Sequence, residues 1–142
     1  MKIFFKKYDI TVLDKNIFFS EKVSMFQSSF NYPSNDFWTL AAIRLIYLEN
    51  FLKDYNLEDV YHFENDILLY YNLEEHHNKF QSFYKNIAIT TGGPDKSMTG
   101  FMFIKNCQSI SMMTDFFIDT LKTMVLQEPC INIEWIWLMR CL

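Results

Sequence analysis

Residues 58–75 read EDVYHFENDILLYYNLEE. Val60, Tyr61 and Phe63 precede, and Ile67, Leu68 and Leu69 succeed, a polar cluster of His62, Glu64, Asn65 and Asp66. Val60–Glu64 reads as a strand, and Ile67–Tyr71 as a second short strand or its continuation. In an extended chain, residues two apart share a side, so the Glu64 and Asp66 carboxylates point together and can reach one cation. Hard divalent cations such as Mg²⁺ or Mn²⁺ take such oxygens and often share their remaining positions with substrate phosphates. Carboxylates at the carboxyl end of a strand lie where α/β folds bind ligands. The same spacing also suits a solvated turn in which Asp66 caps the next segment.

Upstream, Phe37 to about Tyr55 is the clearest helix, with Phe37, Leu40, Ala41, Arg44, Leu48, Phe51, Leu52 and Tyr55 at three- and four-residue spacings. Its other positions are mostly apolar too, so the helix is buried on more than one side. Ser34, Asn35 and Asp36 are its capping candidates. Asn56–Asp59 is a turn. Residues 8–13, YDITVL, read as a short strand, and 17–30 are ambiguous. Downstream, 72–84 reads as a polar-faced helix capped by Asn72, Ile87–Thr90 as a strand, and TGGPDKSM as a loop. Thr99–Lys105 reads as another strand, and Ser109 to about Leu126 as a helix. Strands alternating with helices argue for an α/β fold.

The 142 residues suit a single domain with a core. Half are hydrophobic and 21% charged, a globular composition. The net charge is -4 with no basic block, which argues against a nucleic-acid surface. Gly92, Gly93 and Gly100 are the only three glycines, so neither GxxxxGK[ST] nor GxGxxG is present. Cys107, Cys130 and Cys141 form no CxxC pair, which disfavours a disulfide framework or zinc site and fits the cytoplasm. No segment has signal-peptide character or the length to span a bilayer.

Arg44 sits between Ala42, Ile43, Leu45 and Ile46. Burying it unpaired is expensive, so it needs an anion. A diphosphate, the Glu64/Asp66 pair and a purely structural ion pair all qualify, and a side chain that snorkels its charge to solvent is the alternative. His62 is on the same strand face as Glu64 and reads either as a hydrogen-bonding neighbour of the site or as a satisfied core histidine. His76 and His77 read as solvated helix surface. The loop containing Lys96 reads as a lid that meets phosphate or as an ordinary turn. The Met and Phe stripe of 101–126 reads as core. No GxSxG elbow supports serine chemistry, and Cys107 has no histidine near it in sequence.

The order of these elements resembles the GT-A glycosyltransferases over residues 36–122. In that family an acidic D-x-D-type motif ends a strand, followed by a short apolar strand and a helix. A later strand with small residues at its start walls the donor sugar. Glu64-Asn65-Asp66 matches the acidic motif, with Glu in first place, and Thr99-Gly100-Phe101-Met102-Phe103-Ile104 matches the later strand. WTLAAIRLIYLENFLKDYNLEDVYHFENDILLY is similar to a subset in which a W…R…F helix leads into an H-x-E-x-D strand.

The resemblance implies a Rossmann-like sheet flanked by helices and transfer of a sugar from a nucleotide-sugar donor. It implies a Mn or Mg ion on Glu64 and Asp66, and donor contacts from Arg44, Asn65, Thr99 and Gly100. Residues 1–35 show no convincing nucleotide-binding βα unit, so the chain reads as one GT-A-like domain or part of one, incomplete at both ends. A non-catalytic α/β interaction module and an unrelated metal-dependent phosphoryl-transfer or hydrolytic enzyme are the alternatives. The apolar run within 131–142 is expected to mediate self-association or to mark an interrupted domain.

Overall fold

The structure, a computed structural model, describes residues 10–30, 37–93 and 96–127; for Lys15, Ser29, Phe30, residues 37–39, Lys96 and residues 124–127 it describes the backbone alone. A 3-10 turn, Lys15–Phe18, leads into helices α1 (Glu21–Phe30) and α2 (Phe37–Asp54). Next come strand β1 (Val60–Phe63), helix α3 (Leu73–Phe83), strands β2 (Ile87–Gly93) and β3 (Lys96–Ile104) and helix α4 (Cys107–Gln127). The sheet order is β1-β3-β2, and both pairings are antiparallel. The mixed helix-and-strand fold is therefore as expected, while no parallel pair occurs among the described strands.

Helix α2 sits at the centre. One side, Ala42, Ile43 and Ile46, packs with Val23 and Phe26 of α1 and Ile118 and Leu121 of α4. Its other side, Leu45 and Leu52, packs on Met102 and Ile104 of the sheet and Ile110 of α4. Burial on two sides is the expected result for an apolar helix, but not every residue at the three- and four-residue spacings is buried. Leu40 and Tyr55 are exposed, and Ala42, Ile43, Leu45 and Ile46 hold the core. Three- and four-residue spacings recur on every face of such a helix, so spacing alone does not select one.

The opposite sheet face is aromatic. Phe80 of α3 meets Tyr61 edge-on at 5.4 Å and Phe103 at 5.6 Å between ring centroids. Asn72 caps α3 as expected, accepting from Glu74 N at 3.0 Å. Polar ties join the elements. Lys22 Nζ lies 2.7 Å from both Glu49 Oε2 and Thr114 Oγ1 and 2.6 Å from Asp115 Oδ1, linking three helices. Asp59 accepts from Lys105 Nζ at 2.8 Å and Gln81 Nε2 at 2.6 Å.

Four expectations are corrected. Residues 10–13 are irregular, with 8 and 9 outside the described residues. Residues 67–71 form no strand and leave Leu68, Tyr70 and Tyr71 exposed. The expected loop at 91–98 is mostly strand, because β2 reaches Gly93 and β3 begins at Lys96. Helix α4 begins before Ser109, whose N–H donates to Asn106 Oδ1 at 3.0 Å. The caps Ser34, Asn35 and Asp36 and the 131–142 run lie outside the described residues. Among those described, no helix is long and apolar enough to cross a membrane.

Candidate functional site

The acidic tripeptide comes directly after β1. Glu64 N donates to Gly100 O at 2.8 Å, which ties the end of β1 to β3. Ile67 N then donates to Glu64 O at 3.1 Å, closing a turn through Asn65 and Asp66. The extended alternation expected to aim Glu64 and Asp66 to one side is therefore replaced by a turn. Asn65 and Asp66 are exposed, and Glu64 is half-buried.

Strand β3 is irregular at the same place. Along β2, Ile89 pairs with Met102 but the next residue, Thr90, pairs with Met98. Thr99, Gly100 and Phe101 therefore bulge from β2 while β3 keeps its pairing with β1, and Thr90 Oγ1 donates to Phe101 O at 3.1 Å across the gap. Bulges re-aim side chains and recur beside active sites. Here the result is that Arg44 Nη2, coming from α2, donates both to Glu64 Oε1 and to Thr99 Oγ1, the latter at 2.9 Å.

A Cβ at Gly100 would lie 3.5 Å from Ile67 Cδ1 and 3.8 Å from the Glu64 carboxyl, both ordinary contacts. Glycine is thus not required there by crowding. Arg44, Glu64, Thr99 and Gly100 form one cluster, with Asn65 and Asp66 on the turn at its rim.

Two nitrogens in this region, Arg44 Nε and His62 Nε2, are buried without a hydrogen-bond partner. Burial lowers the His62 pKa from its ordinary 6.5; the Arg44 charge lowers it further, and Glu64 opposes. His62 is thus held neutral at neutral pH. Among the described residues Asp66 has no hydrogen-bond or ion-pair partner, and no three His, Cys, Asp or Glu side chains come together as a metal-ligating group. Two carboxylates still suit in kind a hard cation that completes its shell with phosphate oxygens. Asp66 is the more available, since Arg44 already neutralises part of the Glu64 charge.

Other residues depart from their sequence reading. His76 and His77 are not simply solvated: His77 Nδ1 lies 3.1 Å from the Tyr61 hydroxyl, and His76 meets the Tyr71 ring edge-on. Burial first, and Glu49 second, push the Cys107 thiol up, which makes it a poor nucleophile. The Lys96 side chain lies outside the described residues. Beside the acidic turn is a cavity of about 310 Å³ between residues 67–71, α3 and the β3 bulge. No sequence signal marked it, because its walls come from four separate segments.

Comparisons with models of protein families, with curated proteins and with solved structures found no match.

Proposed function

We propose that the protein transfers a sugar from a nucleotide-sugar donor to an acceptor hydroxyl, as a GT-A-like glycosyltransferase. The observation that carries this reading is the Arg44–Glu64–Thr99 link, with the Glu64 amide donating to Gly100 O beside it. It joins the helix, acidic turn and later strand that the resemblance implies as one donor site. The outer edge of β1 has no partner among the described strands, so a Rossmann-like sheet would extend there. The free Cys107 thiol suits a reducing compartment, and we place the protein in the cytoplasm.

Asp66 and Glu64 would hold a Mn or Mg ion, which would neutralise charge on the departing diphosphate. Arg44 fixes the Glu64 carboxylate in one orientation and adds positive potential where that charge develops. Thr99 and Gly100 line the sugar side, and Asn65 offers an amide at the exposed rim. In the reaction the anomeric C–O bond to the diphosphate breaks, and the nucleoside diphosphate leaves with the electron pair. The acceptor oxygen bonds to the anomeric carbon and its proton passes to water.

The test is a thermal-shift titration with Mn²⁺ and a panel of nucleoside diphosphates. A ligand binding only the folded state at about 100 times its Kd adds about 2.7 kcal/mol. Wild type should shift, and Asp66→Asn, at an exposed position, should keep its unliganded stability and lose the shift. Equal shifts in both proteins would overturn the assignment. A second reading, a non-catalytic interaction module of the same core, is favoured by the engagement of Glu64 with Arg44. It predicts no shift with any nucleotide.

A further inference from the structure

The cavity beside the acidic turn has a chemistry distinct from that of the Arg44–Glu64 cluster. Leu69 and Tyr71 line it from the segment after the acidic turn, Phe80 from α3, and Met98 and Phe101 from β3. At about 310 Å³ it falls at the small end of ligand sites, roughly 300–1,000 Å³. Its lining is overwhelmingly apolar. A sugar ring seated there would meet few polar partners on its buried side, at a cost of about 1–3 kcal/mol for each hydroxyl left dry and unpaired. The lining therefore favours a flat apolar body over a sugar. Tyr71, Phe80 and Phe101 supply ring faces and edges, and Met98 a polarizable sulfur that packs well against aromatics.

Gly100 connects the two regions. It belongs to the cavity wall, yet a Cβ on it would sit 3.8 Å from the Glu64 carboxyl. Ile67, 3.5 Å from the same point, also lines the cavity. A ring held in the cavity would therefore present a substituent to the acidic turn across one residue.

We infer that this cavity is the acceptor subsite and that the acceptor is an aromatic alcohol, its ring in the cavity and its hydroxyl directed toward Glu64. The role as acceptor rests on the glycosyl-transfer reading; the binding of an aromatic ring does not. The donor sugar then lies on the Arg44 and Thr99 side, and the two substrates meet at Gly100.

The experiment is a fluorescence titration of the full chain with 2-naphthol, without metal or nucleotide. Saturable one-to-one binding is expected, with glucose failing to compete. Leu69 and Met98 line the cavity yet are exposed to solvent, so Leu69→Glu and Met98→Glu should leave the circular dichroism spectrum unchanged. Each should weaken naphthol binding about tenfold or more, the loss expected when a charge faces an apolar ligand. Unsaturable binding would overturn the proposal. So would equal affinity in wild type and both variants, or absence of binding because another part of the chain fills the cavity. The diphosphate thermal shift reads a different set of residues, so either result can fail while the other stands.

Discussion

Arg44 and Glu64, 20 residues apart, form an ion pair that joins the central helix to the end of β1, and Thr99 completes it from β3. Each side chain is about a third exposed, at 31% and 30%. The pair therefore lies between surface bridges, worth about 0–1 kcal/mol, and buried ones, whose disruption costs about 3–5 kcal/mol. Arg44→Met should cost roughly 1–2 kcal/mol on the same scale. A double-mutant cycle with Glu64→Gln, read by urea unfolding, should give a coupling energy above about 0.5 kcal/mol. Strict additivity would mean that the contact holds nothing in place.

Ile46 is fully buried where α2 meets α1 and α4. Ile46→Ala should cost about 2–5 kcal/mol. Leu40, on the same helix but 41% exposed, should tolerate alanine within about 0.5 kcal/mol. Comparable losses at the two positions would refute the assignment of the buried face.

His62 makes stability depend on pH near neutrality. Its folded-state pKa lies below 6.5, so the unfolded chain binds the proton more readily. Stability is greatest above pH 6.5, falls as the pH drops through the folded-state value, and then levels off. Arg44 and Glu64 are the charged groups that act on it. His62→Gln should remove that slope, measured as urea midpoints between about pH 5 and 8.

Asp59 sets a second, more acidic window. Burial alone would raise its pKa, but the hydrogen bonds from Lys105 and Gln81 and the Lys105 charge outweigh that and lower it below 3.8. Its contribution is present above the unfolded value and is lost as pH falls through the folded one. Asp59 also has a φ of 55°, a conformation that Asn accepts. Asp59→Asn should therefore keep the turn, cost about 1–2 kcal/mol at neutral pH and flatten the acid limb of the stability profile. An unchanged acid limb would contradict the assignment.

Helices α2 and α3 and the β1 strand were legible in the sequence because each has local signals: a long apolar run, the Asn72 cap, and aromatic and branched residues after a polar turn. The link of Arg44 to the acidic motif was legible for a different reason, since an arginine among apolar neighbours requires an anion. What escaped was decided across strands. Ile67-Leu68-Leu69-Tyr70-Tyr71 has strand composition, but no strand pairs with it among the described residues, so it lies over the sheet as an irregular segment. The β3 bulge at Thr99–Phe101 exists only relative to β2 and leaves no mark in its own residues. Glu49 and Lys22 meet across helices, and neither sequence neighbourhood names its partner.

The placement of α2 between two apolar clusters sets how the molecule comes apart. The three-helix cluster and the sheet-side cluster each lose a wall if that helix leaves, so neither retains a closed interior without it. Amide protons along Ile43–Leu52 should thus exchange with solvent water only when the whole chain opens, more slowly than those of α3, which contains no fully buried residue. The ion pair at the candidate site is mounted on the last element to let go, so the site should persist through partial openings that release α3 and the cavity it lines.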